Sequence, residues 1–295
     1  MRDSLRNLIS NTICFQYSLS NNEKQIVKTK YSEWDECYSV NEDKKLAEVI
    51  YNSIIDYAFN EYELTKASYS ELLYTALQRK IKYNSGASEK AILKLGFYGE
   101  VLLYAMLFHF KGVNTAISRG YLYSPIENGE TKGYDCYHLL QSGDITELWF
   151  GEVKFYQQKK KAIISVLSEL KTSISNDYFK RNIIALVDHK AQFNVKDSKL
   201  ESILDIIEYN PTINLIDLCA KNNIKLVYPV LLITDSNKAY DESIKELIEI
   251  INQANYEIGN LSIDFSICFF FLPVNKGINI KKQVMEWIKS KKLVI

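Results

Sequence analysis

The sequence predicts an α/β fold, a sheet with helices on both faces, preceded by a mainly helical N-terminal region. Two observations carry this. From about residue 86 the apolar positions change period in turn: a helix, three strand-like segments, a helix, then strands alternating with helices. The 295-residue chain is 47% hydrophobic and 24% charged, enough for a substantial core, and with four prolines and no Gly/Ser-rich stretch it has no long flexible linker. It shows neither internal repeats nor low-complexity segments.

The first forty residues mix apolar and polar runs without a clear period, and Ser32-Glu-Trp-Asp-Glu36 reads as a loop. From Asp43 to about Tyr62, the spacing of Leu46, Val49, Ile50, Ile54, Tyr57 and Ala58 predicts a helix. A second helix is expected over Tyr69 to Lys82. The polar stretch Asn84-Ser-Gly-Ala-Ser88 is the boundary in the chain, dividing an N-terminal region, 1–85, from a domain spanning 86–295. Ser85 or Ser88 is placed to cap the helix that follows.

That helix is expected from Glu89 to Lys111, apolar nearly all round after Leu95 and therefore buried. Glu100 lies inside it. Two readings stand: a helix Glu that reaches solvent or bonds a Tyr, or an acid facing a metal. Gly96 and Gly99 weaken the helix and point to close packing. Strands are expected over Thr115 to Ser124, Tyr134 to Leu140 and Ile145 to Tyr156, with Ser142-Gly-Asp144 as a hairpin turn. Gln158 to Ile174 is a helix, and helical patterns follow at 178–190, 200–208 and 212–222. Strand Ile224 to Thr234, helix Asp241 to Tyr256, strand Leu261 to Leu272 and helix Ile280 to Lys291 complete the chain.

Five scattered cysteines with no Cys-x-x-Cys pair fit free thiols in a reducing cytoplasm, and neither a disulfide framework nor a zinc site. Apolar runs such as Val101 to Phe108 reach about eight residues, against the roughly twenty needed to cross a bilayer, so no membrane partner is expected. Lys plus Arg equal Asp plus Glu at 36 each. That balance argues against strong autonomous DNA binding, although lysines cluster at 154 and 159–161 and again at 281, 282, 289, 291 and 292. No Gly-x-x-x-x-Gly-Lys-Ser/Thr loop is present, which excludes that class of ATPase.

The chain holds seven Asp/Glu-x-Lys triplets, so the pattern alone carries little weight. Context separates them. Those at 42–45, 130–132 and 197–199 lie in polar sequence, and Glu169 and Lys171 sit in a helical pattern, where residues two apart do not share a face. Asp188-His-Lys190 follows an apolar run but has no preceding hairpin with a second acid. Glu152-Val-Lys154 does: it lies in the alternating run Glu147-Leu-Trp-Phe-Gly-Glu-Val-Lys-Phe-Tyr156, and Asp135 precedes it by one hairpin. On a strand, Phe150, Glu152, Lys154 and Tyr156 point one way, so a carboxylate and an ammonium emerge side by side from a largely apolar strand. Each residue alone has a bland explanation, a turn Asp or an exposed ion pair worth under about 1 kcal/mol. Together they supply what phosphodiester cleavage requires.

Such cleavage needs an activated water, charge neutralisation and help for the leaving oxygen. Mg²⁺ suits it, with oxygen ligands and retained waters. Asp135 and Glu152 are the candidate ligands, with the backbone carbonyl of Val153 as another. Lys154 would orient or deprotonate water, or balance phosphate charge. Gln157 or Gln158, at the entry to the next helix, would position the substrate phosphate. His109, His138 and His189 share no ligand spacing and read as structural.

Gly133-Tyr-Asp135 and Trp149-Phe-Gly-Glu152-Val-Lys154, after a helix bearing Gly99-Glu100, resemble the PD-(D/E)xK restriction-endonuclease-like superfamily. More narrowly they resemble the HamA family, nuclease subunits of Hachiman anti-phage defence. Tyr134 stands where the superfamily's proline would, leaving the acid in place. The resemblance implies a restriction-endonuclease-like core built on a central mixed sheet. It implies a cytoplasmic Mg²⁺-dependent DNA endonuclease, with Mn²⁺ as a possible substitute, in a hetero-oligomeric complex with a HamB-like helicase that controls access to DNA. Asp135, Glu152 and Lys154 would be catalytic, with Glu100 a fourth member. The alternatives are a catalytically inactive interaction subunit, or a stand-alone restriction-type endonuclease.

Overall fold

A computed structural model of the chain describes residues 1–19, 35–59, 68–81, 83–124, 129–130, 133–192 and 198–290. Helix α1 (Asp3–Thr12) leads into strand β1 (Ile13–Ser18), then β2 (Glu36–Val40), α2 (Asp43–Ala58) and α3 (Tyr69–Arg79). Next come α4 (Glu89–Ile92) and α5 (Phe97–Met106), then the short strands β3 (Asn114–Thr115), β4 (Tyr123–Ser124) and β5 (Gly129–Glu130). The hairpin strands β6 (His138–Ser142) and β7 (Ile145–Trp149) precede β8 (Glu152–Tyr156). Four helices follow: α6 (Lys159–Ser173), α7 (Asn176–Val187), α8 (Lys199–Tyr209) and α9 (Leu215–Lys221). Strand β9 (Ile224–Asp235), α10 (Tyr240–Gln253), β10 (Phe265–Val274) and α11 (Gly277–Ser290) end the described chain.

The fold is α/β as expected, with a mixed sheet in the order β1-β2-β10-β9-β7-β6-β3 and β8 added against β9 beyond the end of β7. The contacts β2/β10, β10/β9, β9/β7 and β9/β8 are parallel; β1/β2, β6/β7 and β3/β6 are antiparallel. Strands β9 and β10 are almost continuous apolar runs, as central strands covered on both faces must be. Their alternate residues enter two separate cores. Tyr228, Val230, Leu232, Phe269 and Phe271 pack under α6 to α10, whereas Val227, Leu231, Ile233, Phe270 and Leu272 pack under α1, α2, α3, α5 and α11.

Most later elements lie where the periodicity puts them. The turn between β6 and β7 is Gly143-Asp144, with Gly143 at φ +57°, and Ser88 is the cap, its Oγ accepting from Ala91 N–H at 3.3 Å. Three expectations need correction. The long helix over 89–111 is broken: α4 stops at Ile92 and α5 begins after Gly96, so Glu100 lies in a first helical turn. The segment 115–124 is two short strands around a 3₁₀ turn at Arg119–Leu122, where Gly120 lies tight against the Ala58 carbonyl and Lys80, off the sheet. The first forty residues hold α1, β1 and β2; the expected loop at 32–36 falls largely outside the described residues, and Glu36 opens β2.

The segment Glu89–Lys111 is long and apolar enough to pass for a membrane span by length and composition alone. Its most apolar window is 72% buried inside the protein, the pattern of a core helix.

Candidate active site

Strands β7 and β8 form one edge of β9 in succession, interrupted at Phe150-Gly151. The interruption has a local cause. Pro229 lies in β9 beside Gly151 and offers no N–H to the ladder, and a Cβ on residue 151 would stand 2.2 Å from the Pro229 carbonyl oxygen. Side-chain alternation survives the break. Leu148 and Phe150 enter the core under α6, while Trp149 and Val153 enter the other. Glu152 and Lys154 therefore share the face of Phe150, as the sequence pattern requires.

Asp135 is not on a strand. The β6–β7 ladder stops at His138–Trp149, and Asp135 sits in the turn before it. There it closes the gap that the break opens: its N–H donates to Gly151 O at 2.8 Å, and its carboxylate Oδ2 accepts from Val153 N–H at 2.9 Å. The N–H and C=O of one strand residue point to the same edge. The Val153 carbonyl thus shares the outer edge of β8 with Asp135.

Lys154 Nζ donates to Glu152 Oε1 at 2.6 Å and to both carboxylate oxygens of Glu169, on α6, at 3.0 and 3.1 Å. Glu100 is buried and accepts from the Tyr57 hydroxyl of α2 at 2.6 Å. Of the two suggestions for Glu100, the tyrosine bond is present, and its carboxylate also lines the cavity. Gly99 brings α5 onto β8, since a Cβ there would stand 2.9 Å from Val153 Cγ2. Glu100, Asp135, Glu152, Val153, Lys154, Gln157 and Gln158 all line one cavity of about 1000 Å³, Gln157 and Gln158 being exposed at its rim.

Burial dominates the electrostatics of the two carboxyls. Burial, then the Glu152 charge, pushes the Asp135 carboxyl well above the usual range, against the pull of Val153 N–H and the buried Arg119. Burial also raises Glu152, despite the adjacent Lys154 ammonium. For Lys154, burial works to lower the pKa, but Glu152 and Glu169 outweigh it and hold the ammonium above the ordinary lysine value. Among the described residues no three His, Cys, Asp or Glu side chains enclose an ion by themselves. Two carboxylates and a carbonyl on one edge fit a hard cation that keeps waters of its own, which is the habit of Mg²⁺.

The remaining sequence-named residues lie elsewhere. Asp188 follows α7 and Lys190 pairs with Asp205 and Glu208, so that triplet is a helix end. His109 meets Ser10, and His138 is buried against Tyr104. The sequence reading missed Glu169 and Arg119. A polar stripe of Lys161, Ser165 and Glu169, four apart and bordering the buried apolar face of α6, was the available signal for Glu169.

No curated protein and no solved structure matches the chain. The HamA family model matches residues 6–288, nearly the whole length. The chain belongs to the HamA family, and so to the multi-component Hachiman defence systems.

Proposed function

We propose that this protein is the metal-dependent DNA endonuclease of a Hachiman complex, acting in the cytoplasm beside a HamB-like helicase that controls its access to DNA. The observation that carries the reading is the broken edge of β8, where Asp135, Glu152 and the Val153 carbonyl converge next to a charged Lys154. Mg²⁺, or Mn²⁺ in its place, would be held by those three groups, with Glu100 as a further carboxylate. When bound, the ion supplies Lewis acidity for the phosphoryl oxygens and a more acidic water.

The chain's own residues do the rest. Lys154, held between Glu152 and Glu169, would orient or deprotonate the attacking water, or offset charge on the phosphate. Glu169 fixes the lysine head from the helix side. Gln157 and Gln158 present amide donors at the cavity rim for a substrate phosphate. The N-terminal region, residues 1–85, is proposed as the side that docks the partner. The zero net charge of the chain agrees with a partner that contributes to DNA binding.

The test is plasmid degradation by the purified complex with Mg²⁺ and ATP. Glu152→Ala and Lys154→Ala are each expected to lower the rate by at least about a hundredfold while leaving assembly intact. Cutting that survives both substitutions refutes the site. A wild-type complex that cuts no nucleic acid would establish the interaction-subunit reading instead.

A further inference from the structure

The cavity that holds Asp135 and Glu152 is also lined by the first turns of α11, and there Lys281 is set in an unusual way. Its Nζ donates to the Phe155 carbonyl at 3.3 Å and lies over the Phe155 ring at 4.5 Å, with the Tyr98 ring at 5.6 Å. Among the described residues it makes no ion pair, whereas its neighbour Lys282 meets Glu89 at 3.5 Å. The anion that acts on it is Asp235, and that carboxylate already accepts from Gly277 N–H at 2.7 Å. Burial lowers the Lys281 ammonium to about 8, with Asp235 pulling the other way. A cation kept from water normally has an anion beside it. Its ammonium lines the cavity, and among the described residues the Phe155 carbonyl is the one hydrogen-bond acceptor within its reach.

We propose that Lys281 is a substrate-binding residue that grips a backbone phosphate next to the one being cut, so that α11 forms the second wall of the DNA channel. The inference rests on the nuclease reading of the same cavity. The cavity's own acids leave a phosphate as the missing anion. Asp135 accepts from Val153 N–H, Glu152 and Glu169 accept from Lys154, and among the described residues none of these carboxylates forms an ion pair with Lys281. Phe155 directly follows Lys154 along β8, so its carbonyl sets Lys281 one step along the strand from the reacting centre. Lys161 of α6 and Lys281 and Lys282 of α11, far apart in sequence, line this one cavity.

The test uses the full chain, alone and with its partner subunit, and a short duplex oligonucleotide with Ca²⁺ in place of Mg²⁺. Lys281→Met keeps the stem over Phe155 and removes the charge; Lys281→Arg keeps the charge. Lys281→Met is expected to weaken binding about tenfold and to flatten the dependence of log K on log salt by about one, with Lys281→Arg near wild type. Binding by Lys281→Met within twofold of wild type, at an unchanged salt slope, overturns the proposal. Should Lys281→Met fail to fold, reductive methylation of the wild-type protein decides: the oligonucleotide is expected to protect Lys281, and absence of protection with and without the partner overturns it. The two readings fail separately. Protection of Lys281 in a protein that never cuts would sink the nuclease reading alone, and Glu152-dependent cutting with an indifferent Lys281→Met would sink this one alone.

Discussion

At the scale of single residues, burying the two carboxyls of the candidate site costs the fold stability. Asp135 and Glu152 are both raised, so between its unfolded value of 3.8 and its folded value Asp135 holds more proton in the native state than in the unfolded chain. Native stability therefore falls as pH rises through that window, by roughly 1.4 kcal/mol per pH unit spanned by this group. Asp135→Asn keeps an oxygen for the Val153 N–H and removes the charge. In EDTA it is expected to raise the melting temperature at pH 8 and to change it little at pH 3, while abolishing cleavage. Added Mg²⁺ should stabilise the wild type but not the variant. An equal loss of stability for Asp135→Asn at both pH values would show that this carboxylate is a structural group.

At the scale of elements, the site depends on two strands that fail to be one. A continuous strand from Ile145 to Tyr156 would leave Gly151 O and Val153 N–H to an ordinary neighbour; the break lets the Asp135 turn claim both. Gly151→Ala forces a methyl against the Pro229 carbonyl and is expected to cost about 1–3 kcal/mol by urea denaturation. Gly143→Ala, with open space around it but φ +57°, is expected to cost about 1 kcal/mol and leave cleavage intact. If Gly151→Ala matches wild type in both stability and cutting, the break is incidental. Elements with a local signature were legible in sequence: α6 and α10 from their 3.6-residue apolar spacing, β9 and β10 from unbroken apolar runs, the β6–β7 turn from Ser-Gly-Asp. The alternation around Glu152 was legible as well, because it survives the interruption. Illegible was whatever depends on a distant partner. Strand β2 has five residues and pairs with β10 across most of the chain, and the break at Gly151 is set by Pro229 on another strand. Glu169 reaches Lys154 only once α6 has folded back over β8.

At the scale of the whole molecule, the N-terminal segment is built into the layer that carries the site. Strand β2 extends the sheet at β10, and β1 covers β2 in turn. All but Asp43, Lys44, Lys45 and Glu48 of α2 are buried, packed on α5 and α11, the helices that supply Glu100 and Lys281. Tyr57 of α2 holds Glu100 directly. A protein docked on this region would thus act one hydrogen bond from the cavity, with no second domain needed to carry the signal. The same construction predicts what happens when the region is removed. A fragment of residues 86–295 would expose the β10 edge and the apolar faces of α5 and α11 together. It is expected to aggregate, or to stay soluble with strong dye binding, lost near-UV dichroism and no cooperative melt. A fragment that melts cooperatively with the near-UV spectrum of the full chain would mean that the first 85 residues form a separable appendage, and that any control they exert on Glu100 has to be imposed from outside.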